Sequence, residues 1–79
     1  MNRTELDQHL LKAHAEEDTQ ALVRLYTLAA DEHEAAGDID AACFFLTHAF
    51  VFALESGAPE AKVLNERLVA RGRAHRLEF

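Results

Sequence analysis

Ala21, Ala41 and Ala61 stand 20 residues apart, each at the same point after a short break. The breaks are Glu17-Asp18-Thr19-Gln20, Gly37-Asp38-Ile39-Asp40 and Gly57-Ala58-Pro59-Glu60. That period is about one helix plus one tight connection, so the chain is confined to similar rods folded back on one another. It predicts an all-α fold: four antiparallel helices in a helical-hairpin array or small bundle, with residues 1–79 as a single α-helical domain.

The apolar spacing places the rods. Helix 1 is expected from Glu5 to about Ala15, capped by Thr4 with Asp7 in a capping-box position, and Leu6, Leu10, Ala13 and His14 on one face. Helix 2 is expected over Thr19 to Ala36, with Leu22, Leu25, Tyr26, Ala29, His33 and Ala36 forming a buried stripe. Gly37-Asp38 ends that helix and caps the next, which runs from Ile39 to about Glu55. Pro59 suits the first turn of helix 4, whose inward face carries Ala61, Leu64 and Leu68. Ala29 and Ala30 of helix 2 face Ala41, Ala42 and Ala49 of helix 3, small residues that let two backbones approach closely.

Charge limits the partners. Residues 1–60 carry 3 basic and 12 acidic side chains, residues 61–79 carry 5 basic and 2 acidic. An acidic body repels a phosphate backbone, which makes nucleic acid an unfavoured partner. The lone cysteine, Cys43, excludes an internal disulfide and a thiolate-rich metal cluster. Arg3 is followed by no apolar core of the kind a secretory signal needs, and the apolar stretch Ile39 to Leu54 is shorter than the ~20 residues of a membrane span. The expectation is a cytoplasmic protein.

The segment Tyr26 to Ala49 resembles one tetratricopeptide repeat. The aromatic position falls at Tyr26, the acidic turn at Gly37-Asp38, the small positions at Ala42 and Ala49, and the large apolar position between them at Leu46. Ala29, Ala30 and His33 stand where that family has Leu, Gly and Tyr, and Leu54 where it has proline. The resemblance implies stacked helical hairpins acting by protein–protein association.

Helix 3 points the same way. It is apolar around nearly its whole circumference, and its polar residues Asp40, Thr47, His48 and Glu55 share one stripe with Phe44 and Val51. One reading buries this helix on most sides. The other leaves Phe44 and Val51 facing outward, to be covered by a second copy of the chain, because four helices offer little material to wrap it. We expect a homodimer, with Tyr26, Phe44, Thr47, His48 and Val51 as the partner-binding residues.

No motif for catalysis, for a cofactor or for a metal stands out. Glu5 with His9, and His14 with Asp18, are four apart and offer two-ligand chelates at most. The other histidines read as solvated or singly hydrogen-bonded, and Cys43 as inert core filling. The C-terminal cations are the remaining candidate: Arg67, Arg71, Arg73 and Arg76, with Lys62 and His75, form a basic segment. It complements a helix C-terminus, docks on an acidic surface such as nucleic acid or protein, or reaches the acidic body of a partner copy. The alternatives to an interaction module are therefore a nucleic-acid-associated regulator and a metal-binding bundle.

Overall fold

A computed structural model describes residues 1–78. Four helices follow one another: α1 (Arg3–Ala15), α2 (Thr19–Ala35), α3 (Ile39–Ser56) and α4 (Glu60–Ala70). No strand occurs among the described residues. Successive helices are each other's nearest backbone neighbours, and the antiparallel array forms a slab of 32 × 30 × 13 Å.

Helix α1 begins two residues before the expected Glu5, because Asn2 rather than Thr4 is its cap. The Asn2 side chain accepts from the Glu5 amide at 2.8 Å and donates to the Glu5 carboxylate at 3.0 Å. This reciprocal pair satisfies two groups that Thr4 and Asp7 leave alone. Pro59 likewise sits just outside α4, as its cap residue, and makes no side-chain cap bond.

The 20-residue period is a period of helix endings. At each joint one residue adopts the left-handed conformation: Glu17 (φ 53), Gly37 (φ 81) and Gly57 (φ 66). The next residue's amide then reaches back to the carbonyl five positions earlier. Asp18 bonds to Ala13, Asp38 to His33 and Ala58 to Ala53, all at 2.9 Å. This is the bonding of a Schellman stop, which ties off otherwise unpaired carbonyls. Asp18 and Asp38 then cap α2 and α3, accepting from the amides of Ala21 and Ala41. The same stop recurs after α4, at Gly72 (φ 70), where the Arg73 amide bonds to the Leu68 carbonyl.

Two apolar clusters flank α2. Leu6 and Ala13 of α1 meet Ala21, Leu22, Leu25 and Ala29 on one side. Val23 and Ala30 join Cys43, Leu46, Ala49, Ala53, Ala61, Leu64 and Leu68 on the other. Tyr26, Phe45 and Phe52 pack against both clusters, so aromatic rings join the two halves of the core. Four of the five alanines expected at the α2–α3 crossing are buried, with Ala30 and Ala49 fully inaccessible and Ala29 and Ala42 nearly so, whereas Ala41 in the first turn of α3 is only partly covered.

Helix α3 begins at Ile39 and ends within one residue of the expected Glu55. The Ser56 hydroxyl bonds to the Phe52 carbonyl at 3.0 Å and the helix continues through Ser56. Its 18 residues are by length and composition sufficient to cross a membrane. Only Ala42, Cys43, Leu46, Ala49 and Ala53 of them are fully buried. An apolar helix so incompletely covered is the main anomaly of the fold.

Candidate functional site

The uncovered part of α3 is its outward stripe. Phe44 is 60% exposed, Leu54 45% and Val51 44%. At helical spacing the three lie on one side of α3, opposite Leu46, Ala49 and Ala53. Polar satisfaction explains why little else is available there. The Thr47 hydroxyl is turned back onto the Cys43 carbonyl at 2.8 Å, as Thr27 is onto Val23 at 2.7 Å on α2. Thr47 therefore contributes its methyl group rather than a free donor.

From Phe44 the surface continues as a chain of rings. Phe44 meets His48 edge-on with centroids 4.6 Å apart, and His48 stacks on Tyr26 at 5.1 Å. Tyr26 lies nearly parallel to Phe52 at 5.9 Å and to Phe45 at 6.2 Å. Phe45 in turn stacks on His33 at 5.2 Å. His14 of α1 closes the strip, its Nε2 2.9 Å from the Tyr26 hydroxyl and its ring edge-on to Phe52. Aromatic pairs at these separations are each worth ~0.5–1.5 kcal/mol beyond the area they bury. Partial burial holds the Tyr26 phenol above its usual pKa, since phenolate is the form that loses hydration.

Of the five predicted partner-binding residues, Tyr26, Phe44 and His48 are thus joined ring to ring. Val51 stands on the α3 stripe beside them, and Thr47 is occupied internally. His14, His33, Phe45 and Phe52 also belong to the strip and are not among the predicted partner-binding residues; the sequence places His14 and His33 on the apolar faces of their helices.

The chain matches no known family model, no curated protein and no solved structure.

The basic segment is engaged within the chain. Arg67 bonds to Asp31 at 2.7 Å and approaches Glu34 at 3.4 Å, while Arg71 bonds to Glu34 at 3.0 Å. Arg73 pairs with Asp40. Three of the four predicted patch residues therefore clamp α4 and the tail onto α2 and α3; Arg76 is exposed and forms no ion pair among the described residues. Hydrogen bonding from Arg71, with the charges of Arg67 and Arg71, holds the Glu34 carboxyl below its usual pKa. Asp40 in turn holds the Arg73 guanidinium more firmly protonated.

The two-ligand chelates are also committed elsewhere. Glu5 is bonded to Asn2, Asp18 to the Ala21 amide and His14 to Tyr26. Among the described residues no group of three or more His, Cys, Asp or Glu side chains is placed to hold a metal ion. Cys43 is buried, in the core cluster of α2, α3 and α4.

Proposed function

We propose that this chain is a small cytoplasmic protein–protein interaction module, acting by association rather than catalysis, and that it pairs with a second copy through the outward stripe of α3. The observation that carries the reading is the exposure of Phe44, with Val51 and Leu54, along one side of α3. Leaving Phe44, Val51 and Leu54 in water forgoes about 25 cal/mol for every Å² that a partner would cover. A two-fold pairing of α3 with its copy places the same stripe on both sides of the contact, so no separate complementary surface is required. Asp40, the acidic side chain at one end of the stripe, is already neutralised by Arg73, which lowers the repulsion between two acidic copies.

The tetratricopeptide-like reading of residues 26–49 agrees with this mode of action. Stacked hairpins present their binding surface along a run of helices, as the strip from His14 to Phe44 does. The nucleic-acid alternative has less support, since Arg67, Arg71 and Arg73 are spent on carboxylates of the same chain. Replacing Phe44 with glutamate tests the proposal. The wild type is expected to scatter light as a dimer, and Phe44→Glu as a monomer with unchanged helix content. A wild type that stays monomeric at high concentration would remove the reading.

A further inference from the structure

Before Glu55, the exposed residues of α3 are Asp40, Phe44, Thr47, Val51 and Leu54, and no others. Their spacing alternates between four and three residues. That alternation marks a seam which a second helix covers while lying about 20° from parallel. Asp40, Cys43, Phe44 and Thr47 line a shallow cleft on this seam, walled on one side by Arg73. The four helical residues stand at i, i+3, i+4 and i+7. In paired helices that arrangement is the hole that receives one side chain from the facing helix. Leu54, 45% exposed at the far end of the same seam, is an unburied side chain of the kind such a hole accepts.

We propose that α3 of a second copy lies antiparallel along this seam and inserts its Leu54 into that hole. This rests on the self-association proposed above and adds its direction and register. Both halves of the match, the hole and the leucine, belong to one helix. A two-fold axis across the middle of the seam therefore fills both holes at once, with Phe44 of each copy against Leu54 of the other and Thr47 against Val51. Charge selects the direction. Glu55 forms no ion pair among the described residues, whereas Asp40 is paired with Arg73. A parallel pair sets the two Glu55 carboxylates at one level and the two Arg73 guanidiniums at another, and like charges so placed oppose association. An antiparallel pair sets each Glu55 end against the end where Arg73 already neutralises Asp40. Size selects it too. In a parallel pair Phe44 must enter a hole that the partner's own phenylalanine walls, whereas leucine asks for less room.

The experiment is a pair of single cysteines. Two full-length chains, both carrying Cys43→Ala, are mixed under mild oxidation; one bears Phe44→Cys and a mass tag, the other Leu54→Cys. Both positions are exposed, so neither change touches the core, and helix content checks this. The mixed dimer keeps Phe44 against Leu54 at its second hole, which holds the pair together. Antiparallel seating brings the two different cysteines together. It leaves identical ones about 15 Å apart along the helices, beyond the ~7 Å that a disulfide spans between Cα atoms. Heterotypic links are therefore expected, with homotypic links lost. Homotypic links alone, or a statistical mixture, from a wild type that scatters light as a dimer would overturn the antiparallel seating and leave the α3 pairing standing. A monomeric wild type would overturn both.

Discussion

Tyr26 of α2 lies over His48 of α3 with centroids 5.1 Å apart and planes 24° from parallel, and the hydroxyl of the same tyrosine is 2.9 Å from His14 of α1. One side chain of α2 therefore touches both α1 and α3. It is also the only tyrosine in a chain without tryptophan, which makes it a built-in optical reporter of the strip.

Alkaline pH should act through that ring. Its pKa is raised on folding by desolvation, so the folded state favours the neutral phenol. The associated stability is present below the ordinary tyrosine pKa of about 10 and is lost as pH rises through the folded value. An ultraviolet titration of the folded protein should place phenolate formation above that ordinary value, and a midpoint at or below it would contradict the burial described here.

Acid acts through a different contact. The Glu34 carboxyl is lowered by Arg71 and Arg67, so its contribution is full above the ordinary glutamate pKa of about 4.3 and fades as pH falls through the lower folded value. Between about pH 5 and pH 3 the melting temperature of the wild type should fall more steeply than that of Glu34→Gln. Parallel curves would mean that the pairing with Arg71 contributes nothing.

At the first joint Glu17 occupies the left-handed position that Gly37 and Gly57 occupy at the next two. A side chain there is strained by ~1–2 kcal/mol, and glycine is not. Part of the relief is returned as unfolded-chain entropy, so Glu17→Gly should stabilise by about 0.5–1 kcal/mol in urea denaturation. Gly37→Ala should move stability the other way by about 1 kcal/mol.

Ala42, 1% exposed, is a buried residue of α3, the helix packed most extensively against α2. Leucine at this position must displace backbone or neighbouring side chains, a cost of ~1–3 kcal/mol. Ala42→Leu should lower the melting temperature by several degrees; a variant as stable as wild type would show that the crossing has slack.

The sequence alone determined the rods and the joints of this protein. Helix period, left-handed stops and aspartate caps are local interactions, spanning at most five residues along the chain, and Ala21, Ala41 and Ala61 mark them because each follows the same stop. The buried alanines of the α2–α3 crossing were legible for the same reason, as was the outward position of Phe44 and Val51. The tertiary structure decided what is distant in sequence. His14 meets Tyr26 across 12 residues, Arg67 meets Asp31 across 36, and Asn65 meets the tail across 10 and 12. An asparagine mid-helix and an arginine near a helix end have many local uses, and their actual partners depend on how the rods lie against one another. Pairing across helices is set by packing geometry, which helical periodicity constrains only to a face and never to a residue.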